Sequence, residues 1–119
     1  MTPHSIDISN QDGIEIFRVS GYVDAKGGKE IQDAGFDLLK KGSRRFVLDF
    51  SACPLVNSSG MVAIVNLAVK TVFEFNGFMV ISGLDERKSS LFEMMGIFRA
   101  AVSSETLETG IAKAKSAKR

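Results

Sequence analysis

Asn57-Ser58-Ser59-Gly60 is the stretch of this sequence in which residue type and spacing point most directly to chemistry. It follows a short apolar run, Phe46 to Phe50, and a short loop containing Pro54, and it directly precedes a helical pattern beginning at Met61. Two hydroxyls at the entrance of a helix meet unpaired backbone N–H groups and the positive end of the helix dipole, which favour an anion. A phosphate carried by Ser58 would be stabilised there rather than expelled. Gly60 removes a side chain where a partner must approach the backbone. On local spacing alone, the simpler reading is that Asn57, Ser58 and Ser59 only cap the helix.

Other constellations argue against an enzyme. A serine nucleophile needs a base, but the only histidine, His4, falls in an N-terminal segment expected to fray, and no Gly-x-Ser-x-Gly elbow exists. Gly28-Lys29 is followed by Glu30, and Val23 occupies the first glycine position, so no phosphate-binding loop is formed. One cysteine and one histidine cannot make a typical zinc site. Asp49 lies in an expected buried strand with no second acid nearby, which suits a hydrogen-bonded structural contact. Asp85-Glu86-Arg87-Lys88 reads as charge at a helix start. Neither a cofactor nor a metal is expected.

Fifteen basic and fourteen acidic residues give a net charge of +1, too balanced for a general nucleic-acid binder. The 119 residues, 45% hydrophobic, fit one domain, 1–119, with its core at about 5–113. Lys113, Lys115, Lys118 and Arg119 leave eleven basic against fourteen acidic residues in the rest of the chain. The basic tail, 113–119, reads as a solvated, frayed end. Cys53 is the single cysteine, the N-terminus lacks a secretory pattern, and Met61 to Phe75 is broken by Asn66, Lys70 and Glu74 before it reaches the ~18 residues of a membrane span. A cytoplasmic location without membrane insertion is expected.

The elements that must position Ser58 follow from periodicity. Ser5 to Ser9 alternates as a half-buried strand, Asp12-Gly13 is a hairpin dipeptide, and Ile14 to Val19 is a second strand before a turn or bulge at Gly21. Asp24 can cap a helix running to about Lys41, with Ile31, Ala34, Gly35 and Leu38 on one face and Gly42 as the stop; Gly27-Gly28 weakens its first turn. Phe46 to Phe50 and Phe78 to Ser82 suit buried central strands. Helices are predicted over Met61 to Asn76, Asp85 to Met95, with Gly96 as its stop, and about Ser104 to Lys115, with Val102 in a last short strand. In the second helix Met61, Ile64, Val65, Ala68, Val72 and Phe75 share the core face. Asn66, Lys70 and Glu74 lie opposite them. Val62 and Phe73 sit at the border, where an interface role and cover by a neighbouring helix fit equally. Met61, Met94 and Met95 read as core filler, and Phe36 as partly exposed. The fold class is α/β: a mixed four- to five-stranded sheet with an N-terminal hairpin and about four helices, mainly on one face.

Several short motifs, in order, resemble the STAS domain family of bacterial anti-sigma factor antagonists. Gly21-Tyr22-Val23-Asp24 is similar to the family's Gly-x-(Leu/Val)-Asp turn, and Phe46-Val47-Leu48-Asp49-Phe50-Ser51 to its central strand. Asn57-Ser58-Ser59-Gly60-Met61 is similar to its Asp-Ser-Ser-Gly-(Leu/Met) signature, with Asn where the family commonly has Asp; Asn keeps the capping geometry and loses the charge. Gly96-Ile97-Phe98 and Leu107…Ile111 fall where the pattern expects them, so the resemblance runs from about 5 to 113. It implies that Ser58 is phosphorylated by an anti-sigma factor serine kinase of the GHKL type and cleared by a serine phosphatase, with Ser59 a neighbouring cap hydroxyl. It further implies that the unphosphorylated form binds the kinase and frees a sigma factor. The partner face expected on this basis is Asn57, Ser58, Ser59, Gly60, Val62 and Asp24. The alternative is a constitutive STAS subunit of a stress-signalling scaffold or lipid-transport complex, in which Ser58 is only a cap. The oligomeric state is not legible in the sequence.

Overall fold

Asp12 and Gly13 both adopt positive φ, 54° and 83°, as a two-residue hairpin between right-twisted strands requires. They join β1 (Ser5–Gln11) to β2 (Ile14–Val23) in a computed structural model that describes residues 2–117. The chain continues through α1 (Ala25–Lys40), β3 (Arg45–Val56), α2 (Ser58–Val69), β4 (Phe78–Ser82), α3 (Glu86–Met94), β5 (Val102–Ser104) and α4 (Leu107–Ser116). The strands lie side by side in chain order; β1 and β2 are antiparallel and all later neighbours parallel.

β2 runs past its predicted end at Val19. Its register with β3 shifts on either side of Ser20, and Gly21 takes φ +75° with a Cβ position 2.2 Å from the Pro3 carbonyl oxygen. Only glycine fits there, and of the turn or bulge expected at Gly21 the structure has the bulge, inside a longer strand. β3 is longer too: the segment with Pro54, read as a loop, is strand. Its pairing with β4 stops at Asp49↔Ser82, while pairing with β2 continues to Val23↔Val56. Proline, which cannot donate, is tolerated on the edge left free. Lys88 of α3 covers that edge by donating to the carbonyls of Phe50 and Cys53. Its residue is only 5% exposed, so it is a buried structural lysine rather than ordinary helix-start charge.

Three helices cover one face and one covers the other. On the first face, Phe17, Phe46 and Phe50 of the sheet pack against Met61 and Ile64 of α2 and Phe92 of α3, with edge-to-face ring pairs at 6.0 Å (Phe17–Phe46) and 5.1 Å (Phe50–Phe92). Each such side chain contributes about 1.5–3 kcal/mol on burial. On the other face Ala114 of α4 packs on Ile14, Ile16, Val47 and Val80. α4 begins at Leu107, capped by Thr106, rather than near Ser104.

The basic end is not frayed through Ser116. Lys113 donates to the Ser103 carbonyl at 2.6 Å and Lys115 pairs with Asp12 at 3.0 Å; Lys118 and Arg119 lie outside the described residues. Arg45 closes α4 from below, donating to the carbonyls of Ala114, Lys115 and Ala117 at 3.1, 3.2 and 2.9 Å. Arg45→Ala is expected to lower stability by about 1–2 kcal/mol, since hydrogen bonds from a charged donor are worth more than neutral ones. Urea unfolding measures the loss, and hydrogen exchange should localise the fraying to 107–116.

Candidate functional site

The first turns of α1 and α2 meet at the carboxyl ends of β2 and β3. Two glycines make this possible. A Cβ on Gly28 would sit 2.4 Å from the Gly60 carbonyl oxygen, and one on Gly60 would sit 2.8 Å from the carbonyl oxygen of Asp24. Gly28, a weak residue for a helix start by propensity, is therefore the price of bringing two helix N-termini into backbone contact. His4 is ordered above this contact: its ring packs over Gly27, and Nε2 lies 2.6 Å from Glu30 Oε2. The frayed histidine expected from the sequence is instead a side chain bound to α1.

Asn57 caps α2. Its Oδ1 accepts from the Gly60 N–H at 2.8 Å, which turns Nδ2 toward the Tyr22 hydroxyl, also at 2.8 Å. Its own backbone N–H donates to Val23 at 3.0 Å. Aspartate at this position would keep the cap but turn Tyr22 from acceptor into donor. Tyr22 falls within the Gly21–Asp24 turn motif, yet nothing in sequence spacing links it to Asn57; the bulge at Gly21 sets that pairing.

Ser58 and Ser59 are helical, at the first and second positions of α2, and both residues are exposed. Among the described residues, neither hydroxyl takes part in a hydrogen bond. Ser59 is thus not a cap hydroxyl, and the cap does not need Ser58. Val62 stands exposed one turn on, whereas Gly60 and Met61 are buried. Asp24 belongs to the same cluster: its carboxylate accepts from the Gly27 N–H at 3.0 Å, and its carbonyl backs Gly60. The structure so brings together Asn57, Ser58, Ser59, Gly60, Val62 and Asp24.

Asp49 is held away from this cluster on the α4 face. It accepts from the Ser51 N–H (3.2 Å), the Ser51 hydroxyl (3.0 Å) and the Ser82 hydroxyl (3.3 Å), the structural contact that its strand position suggested. Burial pushes the Cys53 thiol above its usual range, and the residue is enclosed.

The Gly27 N–H holds the Asp24 carboxyl below its ordinary pKa, partly offset by desolvation; the Lys88 N–H does the same for Asp85 at the start of α3. A carboxyl depressed by folding stabilises the fold above its unfolded pKa, and that contribution is lost as pH falls through the folded value. Stability is therefore expected to drop below about pH 4. Asp24→Asn and Asp85→Asn should each flatten this drop, read from urea midpoints at neutral and acid pH.

α2 is shorter than predicted at one end and longer at the other. It starts three residues before Met61, and after Val69 it widens into a π turn, Lys70–Glu74, closed by Asn76 at φ +58°. Leu67 is buried although it lies off the predicted core face: α2 packs on α1 as well as on the sheet, and Gly35 leaves room for the Leu67 side chain. Met61 is buried as expected, but Met94 is 76% exposed and is not core filler.

A family model described as the STAS domain matches residues 5–111. No curated protein matches the chain. Among solved structures, an anti-sigma factor antagonist from Mycobacterium paratuberculosis superposes with a TM-score of 0.80 at 17% identity, covering 95% of each chain. SpoIIAA in its unphosphorylated form gives 0.75 at 12% identity, over 95% of this chain and all of that one. Phosphorylated SpoIIAA of Bacillus gives 0.72 at 14%, over 92% and 98%. A chain of the stressosome, described as a signal integration and transduction hub, gives 0.68 at 18%, over 92% and 96%. At these identities the likeness is one of fold.

Proposed function

The chain belongs to the STAS domain family, and from that premise we propose that it is an anti-sigma factor antagonist switched by phosphorylation of Ser58. The unphosphorylated face around Ser58 binds an anti-sigma factor serine kinase of the GHKL type and so frees a sigma factor in the cytoplasm. Phosphate on Ser58 ends that binding, and a serine phosphatase restores it. The chain acts by docking rather than by catalysis.

One observation carries this reading: Asn57 makes the α2 cap, so the Ser58 hydroxyl is exposed, without a hydrogen-bond partner among the described residues and surplus to the helix. Phosphate there adds about −1.5 to −2 charge to a surface that must lose water on docking. The N-terminus of α2 stabilises that charge within the free domain. No refolding is needed, and the likeness to SpoIIAA in both its unphosphorylated and phosphorylated forms supports a switch built on an unchanged fold.

The stressosome likeness supports a second reading, a constitutive scaffold subunit with Ser58 unmodified. Incubation with a candidate GHKL-type kinase and ATP, followed by intact-mass measurement and peptide mapping, separates the two. A single phosphate on Ser58 is expected for the switch; an unmodified chain selects the scaffold.

A further inference from the structure

Tyr22 stands beside Ser58 on backbone that is held from both sides. It pairs with Leu55 of β3, its N–H donates to the Thr2 carbonyl at 2.9 Å, and a bridge to Pro3 closes the other edge. Its ring reaches the residue that precedes Ser58: the hydroxyl oxygen lies 2.8 Å from Asn57 Nδ2. The polarity of that bond is forced. The Gly60 N–H can only donate, so it takes Asn57 Oδ1 and leaves the amide NH2 facing Tyr22. Tyr22 therefore accepts from Asn57, and its own hydroxyl proton must point elsewhere. Among the described residues that proton has no acceptor, and Tyr22 is only partly buried. A donor so placed is satisfied by water in the free chain and is open to a partner.

We infer that Tyr22 is a specificity-determining residue of this face, presenting its hydroxyl proton to a hydrogen-bond acceptor, a carbonyl or carboxylate oxygen, on the anti-sigma kinase. The inference rests on the docking role proposed above for the surface around Ser58. The amide of Asn57 sets the sign of the recognition. With a carboxylate at position 57 the Tyr22 proton would turn inward, and the hydroxyl would offer a partner only a lone pair. A kinase that supplies an acceptor would then meet oxygen against oxygen, and one that supplies a donor would be preferred. The Asn57–Tyr22 pair thus selects among kinases able to dock on the same fold, by repelling the wrong one as well as by holding the right one. The rigid strand adds to this, because a preorganised donor loses little freedom on docking.

Calorimetric titration of the full chain with the anti-sigma kinase, run as a double-mutant cycle, tests this. Tyr22→Phe removes only the hydroxyl, keeps the ring and its packing, and is expected to weaken binding about threefold to tenfold. On an Asn57→Asp background the proton is already turned inward, so there Tyr22→Phe should change affinity by less than about twofold. Every variant keeps an oxygen acceptor for the cap, so the Gly60 amide should stay protected from hydrogen exchange throughout. Equal losses on both backgrounds, no loss on either, or a loss that comes with exposure of the Gly60 amide overturns the inference and leaves Tyr22 a brace for the cap. A parent chain that the kinase does not bind overturns the docking role itself, and this inference with it.

Discussion

Ser58→Asp is expected to weaken binding to the anti-sigma kinase by about tenfold to a hundredfold while making the free domain slightly more stable. The two effects have opposite signs for one reason. A carboxylate at the first position of α2 meets unpaired N–H groups and the positive end of the dipole, worth about 0.3–1 kcal/mol in the free protein. In the proposed complex the same charge would have to lose its water against a partner surface that receives a hydroxyl. A hundredfold loss needs only about 2.8 kcal/mol, and an uncompensated buried charge can cost that much. Ser58→Ala removes the acceptor without adding charge and should bind as the parent does. Calorimetric titration and thermal unfolding on the same samples separate docking from stability. Equal binding by the aspartate and alanine variants would mean that charge at this position is not what the partner reads.

Gly28→Ala is expected to cost about 3 kcal/mol or more in stability. Helix propensity argues the other way, because alanine inside a helix is better than glycine by about 1 kcal/mol. Sterics decide the sign. The new Cβ would lie 2.4 Å from the Gly60 carbonyl oxygen and 2.7 Å from its Cα. Both atoms are backbone, so no rotamer change relieves the clash and α1 must separate from α2. Because Gly60 belongs to the first turn carrying Ser58, partner affinity should fall as well. Lys29→Ala, at the exposed next position, should change stability by less than about 0.5 kcal/mol. Urea unfolding of the two variants gives the comparison.

What could be read from the sequence was local in origin. The Asp12-Gly13 hairpin, the Asp24 cap, the stops at Gly42 and Gly96 and the central strands all follow from nearest-neighbour chemistry, and the structure has them. The misreadings involve packing between elements distant in the chain. Leu67 escaped the helical wheel because a wheel assumes one buried face, and α2 has two. Pro54 looked like a loop because proline is rare in paired strands, yet only one edge of β3 is paired there. Lys88 looked like surface charge because nothing local shows that it reaches the carbonyls of Phe50 and Cys53. His4 looked loose because its partner, Glu30, is on another element. At the candidate site, the residue types were legible, but which of three polar side chains makes the cap was not. Asn57 wins because its amide can satisfy the Gly60 N–H and the Tyr22 hydroxyl at once. That assignment leaves Ser58 available.

The most direct measurement compares the affinity of the anti-sigma kinase for the unmodified chain with that for the same chain carrying one phosphate on Ser58. A loss of a hundredfold or more, with the amide exchange pattern of the free domain unchanged outside the first turn of α2, is the predicted result. Undiminished affinity of the phosphorylated chain would contradict the account.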